Sequence, residues 1–459
     1  NYIPIDWQMD FKSGYRYSQQ KWYLDQKIGP KPGVDIKVPW ELSRLQHLNC
    51  FAISALTFPE KRQQLLQEFK NQVLDFIMAN PMKMGVAWTC TMDTAIRAAN
   101  LLVSYDILSQ IDEYNILDES FRGNLGKSIY EHGCFIINNL EVNERFNGNH
   151  YLSDIAGLLF TSAYLKKDLD TEKWLEFSVH EMLFQGLKQF YADGSNFEAS
   201  TSYHRLSGEL LCYSLALIIG LTGRDALPEI LLKRLYRAAK FSLDITNQNG
   251  TTAQVGDNDS GRFFKFSPER NILNHDSFIS AVNGIFEADS LAARDNYPLE
   301  KSIVKTLRNC CGTYTAAIDP FKAAAPVHIN HPKLCFSLKS EILYSSYTRE
   351  NIDISGIDEF FYPFFGLYIF KSRNFHLSVM AGGIGQNGVG GHSHNDKLSF
   401  ELSLGEREVC RDPGTYLYTP MPALRNKFRS VKVHNAPQVS KEEQCSFLDL
   451  FSMKAETEC

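Results

Sequence analysis

The spacing of apolar residues changes once along this chain, and that change restricts the folds open to it. Up to about residue 325 apolar positions recur with a helical period; beyond it they alternate with a period of two. In "EKRQQLLQEFKNQVLDFIMANP", Leu65, Leu66, Phe69, Val73, Phe76 and Ile77 share one helical face, and Pro81 ends the run. The pattern returns in "TMDTAIRAANLLVSYDILSQ", "HYLSDIAGLLFTSAYL", "TEKWLEFSVHEMLFQGLKQFY" and "SGELLCYSLALIIGLTG". Helices of about 15–20 residues with short polar breaks predict stacked antiparallel hairpins, as in a solenoid or a closed toroid. "FFGLYIFKS", "FHLSVMAGG", "KLSFELSLG" and "REVCRDPGTYLY" then read as strands, punctuated by glycine and proline. The expected class is α+β and multidomain: a helical domain over 1–325, then an antiparallel β-sandwich over 326–459 that stops short if strands follow Cys459.

Composition removes several function classes. A net charge of −6 gives no support for nucleic-acid binding. Without a run of about 18 apolar residues, no membrane span is expected. The cysteines contain no CxxC pair, which argues against a zinc ribbon and against a dense disulfide framework. Asn1 opens the chain with no leader peptide, the mark of a trimmed start or an internal fragment.

Four motifs carry candidate chemistry. "NERFNGNHYLSD" gathers Asn149 and His150 ahead of an apolar helix, where asparagine serves either as a cap or as an amide aimed into a cleft. "YADGSNFEASTSYHRLSGE" brings Asp193, Glu198, Tyr203, His204 and Arg205 to a turn and a helix start. "GDNDSGRFF" has the acidic look of a calcium loop but lacks the spacing of one, and reads better as a tight turn facing a cleft. "GGHSHNDKLSF" sets His392 and His394 two apart, on one face if the segment is a strand. With Asp412 and His434 further on, His394 completes a two-histidine, one-carboxylate set that suits zinc and other divalent ions.

In this order, "GNH", "YADGSNFEASTSYH", "GD", "GGHSHND", "RDPG" and "VHN" resemble the heparinase II/III family of polysaccharide lyases, and the resemblance extends to "WELSRLQHL" and "TMDTAIRAANLL". It implies an incomplete α/α toroid followed by an antiparallel β-sandwich, and β-elimination of a uronic-acid polysaccharide. It implies Asn149 as the group that neutralises the uronate carboxylate. Tyr203 would be the catalytic tyrosine and His392 the catalytic histidine. His394, Asp412 and His434 would hold one structural divalent ion, zinc in the best-matching form and calcium as the alternative. His150, His204, Arg97, Arg205 and Arg429, beside these motifs, would meet the anionic chain. Arg145, Arg262 and Arg425 fall in the same stretches. The site would lie between domains, with closure bringing His392 towards Tyr203, and the location would be periplasmic or secreted in a bacterium. Two other readings remain open: a glycoside hydrolase using carboxylates such as Asp193, Glu198 or Asp257, and a non-catalytic protein that binds acidic polysaccharide.

Overall fold

The computed structural model describes residues 2–268, 271–309 and 356–455. The expected domain boundary at 325/326 lies outside these described residues. A short hairpin, β1 (Met9–Asp10) with β2 (Tyr15–Arg16), precedes the helices. These are α1 (Lys37–Ser43), α2 (His47–Thr57), α3 (Arg62–Ala79), α4 (Thr91–Ser109), α5 (Glu119–Asn138) and α6 (Asn149–Tyr164), followed by α7 (Leu169–Gln189), α8 (Thr201–Thr222), α9 (Glu229–Asp244), α10 (Asp276–Phe286) and α11 (Pro298–Arg308).

Side-chain pattern sorts the helices into two layers. α4, α6 and α8 are buried nearly all round. α3, α5, α7 and α9 bury one stripe and show the rest to solvent. A helix without a polar face must be enclosed, whereas an amphipathic one covers it. Accordingly α2 packs on α4, α4 on α6, α6 on α8 and α8 on α10, forming an inner layer of the toroid. The amphipathic helices close the outside. Gly157 in α6 allows the tightest crossing: a Cβ there would lie 2.5 Å from the Ala95 Cα of α4. By length and composition α8 could cross a bilayer, which reading for unbroken apolar runs missed; here it is the enclosed core helix.

The C-terminal region forms an antiparallel sheet of β3 (Asp358–Tyr362), β4 (Leu367–Ser372), β5 (Phe375–Met380), β6 (Ser399–Leu404) and β7 (Arg407–Cys410), each paired with the next. α12 (Pro422–Arg429) and a hairpin of β8 (Cys445–Asp449) and β9 (Ser452–Ala455) follow. Phe241, Ile245, Ala253 and Val255 of the helical region pack against Tyr362, Leu367, Ile369 and Met380 of the sheet. The face of β6 that meets the helical region is its polar one. Asn247 donates to Ser403 at 3.2 Å and the Gln254 N–H to Glu401 at 3.3 Å, while Leu398 and Phe400 are exposed. Burial at this seam pushes the Glu401 carboxyl up to about 8.

His392 and His394 do not lie on a strand. They belong to the crossover between β5 and β6, which leaves the sheet and runs against the helical region. The glycine-rich lead-in breaks the alternation that begins only at Ser399.

Gly157→Ala is expected to destabilise the fold by about 1–3 kcal/mol, the usual cost of overpacking. Calorimetry should show a lower Tm, with cleft chemistry unchanged in the folded fraction.

Candidate active site

Three inner helices deliver their N-termini to one cleft. Met92 and Asp93 begin α4, Asn149 and His150 begin α6, and Tyr203 sits in the first turn of α8; all line a cavity of about 1070 Å³. The opposite wall is His392 from the crossover and Tyr418 from the segment before α12. Helix N-termini carry a partial positive charge that favours an anion, and at two of them a carboxylate already takes a leading N–H: Glu141 Oε2 accepts that of Met92 at 2.8 Å and Glu198 Oε1 that of Asn149 at 2.7 Å.

The Tyr203 and His392 rings stack with centroids 3.6 Å apart and planes at 17°. They are already in contact, so no domain closure is needed to unite them, contrary to the sequence-based expectation. Two buried carboxylates fix His392. Its Nε2 lies 3.2 Å from Glu198 Oε2 and its Nδ1 lies 3.1 Å from Asp257 Oδ2. Burial opposes the imidazolium, yet its hydrogen bonds to Asp257 and Glu198, with their charges, outweigh it and raise the His392 pKa to about 9. Glu198 also holds Asn149: its Oε1 accepts the Asn149 N–H at 2.7 Å and its Oε2 accepts Asn149 Nδ2 at 2.9 Å. One carboxylate thus ties the first residue of α6 to the crossover of the β region. Asn149 Oδ1 is buried without a hydrogen-bond partner.

Gly256 makes the approach of the crossover possible. Its φ is +65°, and a Cβ there would lie 2.5 Å from the His392 carbonyl oxygen. Next to it, Asp257 Oδ1 accepts from His394 Nε2 at 3.0 Å, and Oδ2 also accepts from Arg425. On Tyr203 the hydroxyl donates to Asp259 Oδ2 at 3.1 Å and lies 3.1 Å from the Tyr418 hydroxyl. Burial, with Asp259 and Asp257 adding to it, pushes the Tyr203 phenol well above its ordinary range. The phenol is therefore a proton donor in the resting cleft.

Beneath the crossover, donor atoms of His394, Asp412 and His434 lie within 4.8 Å of one another. Each histidine has one ring nitrogen engaged: His394 Nε2 with Asp257, and His434 Nδ1 with Asp412 at 2.5 Å. The other two, His394 Nδ1 and His434 Nε2, are buried without partners. Two orphaned imidazole nitrogens beside a carboxylate fit a divalent cation, and Asp257 then sets the tautomer of a ligand from behind.

Residues 3–270 match the family model for the Heparinase II/III N-terminus, and 357–459 that for Heparinase II/III-like, C-terminal. The chain belongs to the heparinase II/III family. The solved structure described as heparinase III aligns with a TM-score of 0.58 at 15% identity, over 98% of this chain and 61% of that one. A mutant of the heparan sulfate lyase HepC from Pedobacter heparinus aligns at 0.50 and 18% identity, over 96% of this chain and 58% of that one. The chain therefore spans about three fifths of the length of these structures. The likeness supports the shared fold of toroid and sandwich. No curated protein matches the chain.

Within this family frame, several sequence-based assignments need correction. His150 does line the cleft, with Nδ1 3.0 Å from Glu141 Oε1. His204 does not. It is fully buried, its Nε2 is 3.0 Å from the Ala238 carbonyl oxygen, and burial lowers its pKa to about 3. On a helix that starts at the cleft, the residue after Tyr203 points into the protein. Arg97 is also in the core, donating to His132 Nε2 and to the Ser43 and Ala87 carbonyls. Arg205 donates to the carbonyls of Ile272 and Gly261. Arg429 donates to those of Ser393 and Gly390, so it braces the crossover from behind instead of meeting a ligand. Each guanidinium serves as a multi-donor staple for backbone oxygens.

The site also uses residues that motif reading under-weighted. Glu198 and Asp257 entered as possible hydrolase carboxylates, and here both grip His392. Tyr418 stood in "GTYLYTP" with no role, and Lys37 in "DIKVPW" carried no signal.

Two measurements follow from this geometry. The His392 proton is held below pH about 9, so a reaction that needs the neutral ring should gain kcat/KM as pH rises towards that value. Since the folded pKa exceeds the free-imidazole value of about 6.5, the stabilising contribution of the ion pairs is complete below pH 6.5 and is lost as pH passes through about 9. A pH–rate profile alongside Tm against pH, compared with His392→Ala, checks both signs. For the ion site, loading with zinc should raise Tm, a chelator should lower it, and His434→Ala should remove both responses.

Proposed function

We propose that this chain is a polysaccharide lyase that cleaves a uronic-acid polymer by β-elimination. The observation that carries the reading is the convergence of Asn149, Tyr203 and His392 on one cleft, with phenol and imidazole stacked. The reaction requires three things. The uronate carboxylate must be neutralised so that loss of the C5 proton can form an enolate-like intermediate. A base must take that proton, and an acid must protonate the departing O4. The Asn149 amide is the group for the carboxylate, its Nδ2 passing from Glu198 to the substrate. Tyr203, held protonated, is the acid. His392 is the base in its neutral form: Nε2, which rests 3.2 Å from Glu198, turns to the C5 proton, while Asp257 on Nδ1 holds the imidazolium that results.

His394, Asp412 and His434 would hold a structural zinc ion that fixes the crossover. His150 and Arg145 on the cleft lining are the side chains we assign to substrate contact. The polymer is an acidic polysaccharide of the heparan sulfate type or from a bacterial surface, met in the periplasm or outside the cell.

The hydrolase reading is less well supported. Inverting hydrolysis needs two carboxyl groups facing a water and a glycosidic oxygen across an open gap. Glu198 and Asp257 instead spend their oxygens on His392, Asn149, His394 and Arg425. Asp193 closes its own turn through Ser195.

Incubation with heparan sulfate, hyaluronan, alginate and acidic bacterial exopolysaccharides should produce ultraviolet absorbance from a conjugated C4–C5 double bond on at least one of them. Reducing ends without that absorbance would mean hydrolysis, and binding without product would mean a non-catalytic protein. Tyr203→Phe, which keeps the ring, should lose at least about 100-fold in turnover, the scale of lost acid–base catalysis. Asn149→Ala should lose turnover in the folded fraction, with Tm lowered by the loss of the Nδ2 hydrogen bond to buried Glu198.

A further inference from the structure

Tyr203 shares its carboxylate partner with an ammonium group from a distant part of the chain. Lys37, the first residue of α1, places Nζ 2.5 Å from Asp259 Oδ2. That oxygen also accepts the Tyr203 hydroxyl at 3.1 Å. Asp259 Oδ1 accepts the Gly261 N–H at 3.0 Å, which fixes the carboxylate plane. Lys37 Nζ lies 4.4 Å from the centroid of the Tyr418 ring, whose hydroxyl touches that of Tyr203. Lys37, Asp259, Tyr203 and Tyr418 all line the cleft.

We propose that Lys37 and Asp259 act as a pair of positioning residues for Tyr203: Asp259 orients the phenol, and Lys37 cancels the Asp259 charge when the phenol gives up its proton. This rests on the lyase reading above. In that reaction the Tyr203 O–H bond breaks, its proton goes to the leaving O4, and the phenolate keeps the electron pair. The proton that His392 took from C5 then leaves with solvent, and the phenolate regains one from water. Between those events a phenolate stands about 3 Å from a carboxylate. Like charges at that distance repel strongly when both groups are largely buried, as Tyr203 and Asp259 are. With Lys37 on the same oxygen, the phenolate meets a neutral pair.

Other charges face the phenol as well. Asp257 and Glu198 lie behind His392, and Arg44 acts on Asp259 while being paired to Asp93. The His392 ring covers one face of Tyr203. Of these, only Asp259 hydrogen-bonds both the hydroxyl and a cation from outside the β region. Burial disfavours the Asp259 carboxylate, but Lys37 first, then Arg44 and the Gly261 N–H, together outweigh it and keep the group ionised.

The test is a double-mutant cycle on the whole chain, with two readouts. Lys37→Met leaves Asp259 uncompensated beside Tyr203 and should lower kcat at least about tenfold with KM within about threefold, whereas Lys37→Arg should keep most of the rate. Lys37→Met with Asp259→Asn removes both charges and should recover at least about fivefold over Lys37→Met alone, the mark of a coupled pair. Additive losses, or a change confined to KM, would overturn the proposal. The second readout needs no substrate: carbon-13 NMR of tyrosine labelled at Cζ, with Tyr203 assigned through Tyr203→Phe. The Tyr203 titration should move up in Lys37→Met and down in Asp259→Asn. No movement in either sinks the proposal even if no polymer is cleaved. Movement without any unsaturated product would sink the lyase reading alone.

Discussion

The Asp257 carboxylate is the interaction on which the rest of the site depends. It is fully buried, and it binds His392, His394 and Arg425 at once. An isolated carboxylate in that position would be very costly. The three cationic or hydrogen-bonding partners come from the β region, while Asp257 belongs to a loop of the helical region, so its desolvation can be compensated only when the two are docked. Burial raises its pKa and Arg425 with the two histidines lowers it further, so the group stays ionised. A single charge therefore couples docking, the orientation of His392 and the tautomer of an ion ligand.

Glu198 performs the matching task on the other side of the imidazole. Because His392 lies between two carboxylates, its position is fixed by charge and hydrogen bonding, and the Tyr203 ring needs only to cover its face. The cleft around it is close to balanced: Lys37 is paired with Asp259, Arg44 with Asp93, and His150 with Glu141. The overall charge of −6 thus says little about the cleft, where ionic partners are matched locally.

Much of this was legible in the sequence. The change of period located the helical and β regions because burial on all sides and burial on one side leave different patterns. "GNH" and "YADGSNFEASTSYH" pointed to Asn149 and Tyr203 because a polar cluster before an apolar run marks a helix start, and helix starts here face the cleft. What could not be read was direction. His204 and Arg205 adjoin Tyr203 in sequence, but 100° of helical rotation per residue turns them into the core. Arg97 and Arg429 looked like anion contacts because charge suggests surface, yet a guanidinium can be enclosed when backbone carbonyls and neutral side chains accept its protons. Lys37 and Tyr418 were invisible because their roles exist only through contacts across 222 and 215 positions of chain. The strand assigned to His392 failed for a local reason: the glycines before it serve the crossover, and Gly256 matters because it leaves room for the carbonyl that follows.

The helices that supply the chemistry all begin at the cleft and run away from it, each returning through an amphipathic partner on the outside. Every catalytic candidate from the helical region therefore sits on a start, and the far ends of α4, α6 and α8 place no residue on the cleft. The connections at that far end are under no demand from the reaction. They can lengthen, shorten or acquire new surface features while the active geometry stays fixed, whereas a one-residue slip at the near end would rotate Asn149 or Tyr203 out of place. A two-layer helical ring of this kind separates the part of the molecule that is free to vary from the part that is not, along its own axis.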